Sequence, residues 1–95
     1  MKKVLVFYGE ECPHCKVMMP VIDQVEKEQE GKIKFEKLEV WHNENNLATV
    51  RKFKPLIKTS CGEKLLVPIF FHEKSQKSLC GQVSYETLRE WVEGL

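Results

Sequence analysis

Cys12-Pro13-His14-Cys15 places two thiols three residues apart, directly after the apolar run Val4-Leu5-Val6-Phe7-Tyr8 and directly before a stretch of helical periodicity. Cysteines at that spacing close into a small disulfide ring across one helical turn. At a helix start, unpaired backbone N–H groups and the positive end of the helix dipole stabilise a thiolate on the first cysteine. The thiolate is the attacking species in thiol–disulfide exchange, and Cys15 lies within reach to resolve the mixed disulfide that follows. Strand, C-x-x-C, then helix is the context that separates a redox motif from a stray cysteine pair.

The rest of the composition narrows the field. Ninety-five residues, 42% of them hydrophobic, make one domain (1–95) with one core that needs no disulfide staples. A net charge of +1 with no basic block argues against nucleic-acid or membrane-surface binding. Met1-Lys2-Lys3 resembles the start of an export signal, but the apolar run ends at Tyr8 and no small-residue cleavage site follows. No segment is long enough to span a membrane. The expectation is a soluble, cytoplasmic monomer, a setting in which an isolated C-x-x-C is catalytic or metal-binding.

The elements that must position these thiols follow from pattern. Residues 3–8 read as a buried strand ending at Gly9. Pro13 suits the first turn of a helix whose apolar positions are Val17, Met18, Val21, Ile22 and Val25, kinked at Pro20 and stopped at Gly31. A second strand runs from about Lys32 to Trp41, with a phase slip at Lys37-Leu38 that suggests a bulge or twist. His42 to Asn45 has turn and cap chemistry. Leu47, Val50 and Phe53 mark a second helix interrupted at Pro55, followed by an irregular stretch from Lys54 to Lys64. Leu65–Phe71 and about Lys77–Cys80 read as a hairpin around the polar turn His72–Gln76, and Ser84 caps a last helix that buries Leu88, Trp91 and Val92 with Tyr85 alongside. The order βαβαββα predicts an α/β fold: a four-stranded mixed sheet with helices on both faces, and the chemistry at the carboxyl end of the parallel strands.

With motif and element order together, the chain resembles the thioredoxin superfamily in its short form, over nearly its whole length. Cys12-Pro13-His14-Cys15-Lys16 with Pro20 and Asp23 resembles the active-site helix. Lys37-Leu38-Glu39-Val40 with Asn43 looks like the end of the second core strand, Val67-Pro68 before Ile69-Phe70-Phe71 is similar to the cis-proline strand, and Gly81 with Ser84, Leu88 and Trp91 resembles the closing glycine and final helix. The resemblance implies a thioredoxin fold with Val67 and Pro68 beside the active-site disulfide, offering backbone hydrogen bonds to a bound chain. Cys80 and Gly81 fall in the segment that resembles the substrate groove.

Three departures carry expectations. The family's buried acid is Val6 here, while its basic neighbour has a counterpart in Lys37, whose ammonium favours the Cys12 thiolate. Proton removal from Cys15 then falls to Glu10 or Glu11 acting through water. Glu11 replaces the usual tryptophan before the first cysteine. Pro13-His14 matches periplasmic disulfide oxidases, and a positive or donating His14 beside the thiolate stabilises the reduced form and makes the protein more oxidising.

Four cysteines leave several arrangements open. Cys61 and Cys80 are read first as small core residues, next as a second disulfide or electron relay, and last as completing a four-thiolate metal or iron–sulfur site with Cys12 and Cys15. His42 and His72, both at turns, are read as solvated. Met18-Met19, Phe35, Phe70 and Phe71 are read as core. The resulting expectation is a thiol–disulfide oxidoreductase with Cys12 as nucleophile and Cys15 resolving, needing no metal or other cofactor. Its expected partners are protein disulfides and a recharging reductase, with glutathione a candidate. The alternatives are a glutaredoxin-like enzyme, the metal binder and a redox-inert adaptor. The direction of electron flow is open, because cytoplasmic location favours a reductant and Pro-His an oxidant.

Overall fold

The computed structural model describes residues 1–64 and 66–95. Among these, the chain forms β1 (Lys2–Tyr8), α1 (Pro13–Glu28), β2 (Ile33–Glu39), α2 (Glu44–Cys61), β3 (Ile69–His72), β4 (Lys77–Cys80) and α3 (Tyr85–Glu93). The sheet order is β2-β1-β3-β4, with β1 parallel to β2 and the β1–β3 and β3–β4 pairs antiparallel. This is the α/β arrangement of a thioredoxin fold.

The sheet is covered on both faces, and side-chain alternation shows how. Val4, Val6, Ile33, Phe35 and Phe70 face α1 and α3, where Met18, Ile22, Val25, Leu88 and Val92 meet them. Leu5, Phe7, Ile69 and Phe71 face α2 and its Val50, Phe53 and Ile57. β1 is central and loses water on both sides, which explains its unbroken apolar run.

Several expectations need correction. The β1–β2 register runs without a break from Lys2↔Ile33 to Tyr8↔Glu39, so there is no bulge at Lys37-Leu38. The phase slip is a change of face: Ile33 and Phe35 serve one layer, Leu38 and Val40 the other. On α1, Val17 is 52% exposed, and the buried stripe is Cys15, Met18, Ile22 and Val25.

The helix break at Pro55 is also overturned, since α2 continues to Cys61. An interior proline costs about 3 kcal/mol, but Phe53 and Ile57 lie on the stripe begun by Val50, and burying each contributes roughly 1.5–3 kcal/mol. Packing wins. The third strand starts at Ile69, because Pro68 has no N–H for the ladder and Leu66 points to solvent; the expected start at Leu65 lies outside the described residues. His72 closes β3 and is 5% exposed, not solvated. Its Nδ1 lies 2.7 Å from Ser75 Oγ, and burial, with the Lys2, Lys74 and Lys77 ammoniums, pushes the imidazole below its ordinary pKa. The remaining helix starts follow local chemistry: Asn43 Oδ1 accepts from Asn46 N at 3.0 Å, and Ser84 Oγ from Thr87 N at 3.1 Å.

Candidate active site

The C-x-x-C motif begins α1, with Cys12 as its N-cap and Pro13 in the first turn. Cys12 Sγ accepts a hydrogen bond from the Cys15 N–H at 3.4 Å, so a backbone donor of the helix start already points at that sulfur. Cys12 is 4% exposed and Cys15 1%, so both side chains are buried at the start of the helix. Burial, reinforced by the neighbouring Cys12, pushes the Cys15 thiol up to about 12. The two cysteines therefore differ in kind. One faces a helix's N–H groups, and the other is held as a protonated thiol.

The opposite wall comes from far along the chain. The Cys12 thiol donates to the Val67 carbonyl at 3.8 Å, and the Val67–Pro68 bond is cis. Pro68 O accepts from Gly81 N at 2.8 Å, and Cys80 pairs with Ile69 in the β3–β4 ladder, so Val67, Pro68, Cys80 and Gly81 form one continuous edge. Gly81 adopts φ +83°, which a residue with a side chain rarely takes.

The other expected residues are placed as follows. Lys37 lies beside Val6 in the sheet, and its Nζ meets Asp23 Oδ1 of α1 at 2.7 Å. His14 is exposed, with Nδ1 2.9 Å from Gln82 Oε1; because an amide oxygen only accepts, the ring N–H donates there. Cys61 and Cys80 are disulfide-bonded with Cα atoms 5.6 Å apart, joining the end of α2 to the end of β4. With Cys61 and Cys80 paired to each other, Cys12 and Cys15 are the free cysteines.

Two features escaped the sequence reading. The Glu39 carboxylate collects the backbone N–H groups of Glu10 (2.9 Å), Trp41 (3.1 Å) and His42 (2.7 Å), tying the loop before Cys12 to the loop after β2. Burial pushes this carboxyl up, but the three N–H donors outweigh it and hold it below the usual range. The signal was an acid at the end of a strand parallel to the one that leads into the motif.

The second feature is Trp41, half exposed and packed flat over Gly9. A Cβ on Gly9 would sit 2.3 Å from the indole ring. An aromatic thus borders the motif from another element, although Glu11 stands where the resemblance places a tryptophan. Gly9→Ala is expected to push the indole off and red-shift its emission, whereas in a Trp41→Ala background Gly9→Ala should leave the melting temperature where Trp41→Ala alone puts it. Fluorescence and thermal melts on the three variants test this.

Glu11 pairs with His42, as the turn reading of His42 allows, since both are exposed. The Glu11 carboxylate raises the His42 pKa above 6.5. A raised folded-state pKa means the pair's contribution is complete below 6.5 and lost as pH climbs through the higher value. An NMR titration should find the His42 midpoint above 6.5, and Glu11→Gln should return it to the ordinary range.

Comparison with known proteins agrees with this geometry. The thioredoxin family model matches residues 1–93. Thioredoxins of Rickettsia conorii and Rickettsia felis are each 41% identical to this chain over 39 residues, a stretch that is 41% of this chain and 37% of each relative. The local match thus spans little more than a third of those relatives. With the family model covering nearly all residues, and the C-x-x-C helix facing a cis-proline strand across a four-stranded mixed sheet, the chain belongs to the thioredoxin family.

Proposed function

We propose that this protein is a thiol–disulfide oxidoreductase that exchanges its Cys12–Cys15 pair with disulfides of protein substrates. The observation that carries the reading is the asymmetry of the two sulfurs: Cys12 caps α1 and receives the Cys15 N–H, while burial pushes the Cys15 thiol up to about 12. The Cys12 thiolate attacks a substrate disulfide, one substrate sulfur leaves as a thiolate, and a mixed disulfide forms. Cys15 then gives up its proton and attacks Cys12 Sγ, expelling the second substrate sulfur. Two electrons pass to the substrate, and the reverse sequence makes the protein an oxidant.

Thiolate stabilisation is assigned first to the helix N-terminus with Pro13 in its first turn; His14, held by Gln82, and Lys37, held by Asp23, add their charge from those positions. Val67, Pro68, Cys80 and Gly81 form the groove. Trp41 and Leu66, large apolar side chains left in water on loops adjoining the motif and Val67, suit a protein substrate better than a small peptide thiol. The reaction needs no cofactor beyond the cysteine pair, and a separate reductase or oxidant resets it. No helix among the described residues is long and apolar enough to cross a membrane, and a cytoplasmic setting fits the reading.

Equilibration across glutathione and dithiothreitol buffers, followed by acid quench, alkylation and mass spectrometry, tests it. A two-thiol transition of Cys12 and Cys15 near about −270 mV marks a reductant and one near about −120 mV an oxidant. A protein whose two thiols never interconvert would refute the proposal.

A further inference from the structure

The Cys61–Cys80 disulfide stands at both ends of the wall that faces Cys12. Cys61 is the last residue of α2, and the chain after it runs through Gly62, Glu63, Lys64 and Leu66, all exposed, before reaching Val67. The described residues of this loop bury little surface, which leaves its two ends as fixed points of the segment. At the far end, Cys80 pairs with Ile69, and the next residue, Gly81, donates its N–H to Pro68 O. The bond therefore brackets the segment that presents the Val67 carbonyl to Cys12 Sγ.

Accessibility points the same way. Cys61 and Cys80 are both half-buried, whereas Cys12 and Cys15 are buried. Accessible disulfides are the labile and regulatory ones. We propose that Cys61–Cys80 is a second exchange site, opened by low-molecular-weight thiols, whose closed form positions the Val67–Pro68 wall for an extended substrate. This rests on the exchange reaction proposed above. In the opening step, one small thiolate attacks a sulfur of the pair, the Cys61–Cys80 bond breaks, and the other sulfur leaves as a thiolate and takes up a proton. A second small thiolate attacks the sulfur of the first, the mixed disulfide breaks, the protein cysteine leaves as a thiolate and takes up a proton, and the two small thiols depart joined as the oxidised small disulfide. Two electrons and two protons have then reached Cys61 and Cys80, and an oxidised small disulfide reverses the change.

Glutathione is the probe. The full-length wild type is incubated in buffers of graded glutathione ratio, quenched in acid, alkylated and mapped by peptide mass spectrometry, with circular dichroism to follow folding. The expected result is paired labelling of Cys61 and Cys80 while the protein remains folded. In the same samples the Gly81 amide should lose hydrogen-exchange protection as the pair opens. Cys61→Ser, which opens the bond in every buffer, should raise KM for an extended peptide disulfide about tenfold with kcat little moved, as expected when a pre-ordered wall is lost. A stability role alone would shift the melting temperature and leave KM unchanged. Labelling only after denaturant is added, unchanged Gly81 protection, or an unchanged KM would each overturn the proposal. A wild type that turns over no disulfide would overturn the function proposed above, and the Gly81 exchange would still decide whether the pair holds the wall.

Discussion

Cys12→Ser is expected to abolish turnover of protein disulfides, by roughly 10³-fold or more, because it removes the sulfur proposed to form the mixed disulfide with the substrate. Cys15→Ser should behave differently: it keeps the attacking sulfur and its helix donors, completes the first step, and stops as a mixed disulfide visible as a mass increase. Burial is the largest cause of the Cys15 thiol's rise to about 12, ahead of the neighbouring Cys12. At pH 7 a thiol at that value is ionised only on the order of 10⁻⁵ of the time. The resolving step in the wild type should accordingly rise about tenfold per pH unit through neutral pH, measured by quenched single-turnover kinetics. A flat profile would show that a base near Cys15 takes its proton. Val6 is no such base, being a fully buried aliphatic side chain at the position where the family carries an acid.

The second large effect lies in the core. Phe70 is fully buried at the centre of β3, edge-on to Phe35 at 6.3 Å and tilted against Trp91 at 6.4 Å. It joins the sheet to α3 on the face that also holds α1. Phe70→Ala removes the ring and leaves a cavity that a two-layer core of this size cannot collapse around, at about 3–5 kcal/mol. Small domains hold about 5–15 kcal/mol in total, so the midpoint of thermal unfolding should fall by roughly 15 °C or more. Phe70→Leu should recover most of that loss, and denaturant melts of the three proteins give the comparison.

How far such results were legible in the sequence depends on the range of the interaction. Cys12 to Cys15, the Asn43 and Ser84 caps, and the β3–β4 turn are decided within a few residues, and each is found where its pattern put it. Pro55 was misjudged because the counterweight, Ile57 packing on the sheet, is tertiary. The Leu65–Phe71 run reads as one strand from its branched side chains, but Pro68 has no donor and Leu66 no layer to enter. The Glu39 hub and Trp41 over Gly9 join residues whose neighbourhood exists only after the parallel β1–β2 pair has formed, so their side-chain types were visible and their partners were not. The Cys61–Cys80 pairing was one of several arrangements the sequence left open, and it is decided where the end of α2 meets the end of β4.

The sheet order has a consequence for how the chain is made. β1 pairs with β2 on one edge through a local strand–helix–strand unit, but its other edge waits for Phe70 and Phe71, near the end of the chain. A chain emerging from the ribosome completes β1, α1 and β2 while that second edge, the Val4–Phe7 run, has no strand to pair with. Bare apolar strand edges are templates for association with other chains. Emergence of the β3–β4 hairpin is therefore the event that covers this edge, and slow elongation after α2 would prolong its exposure.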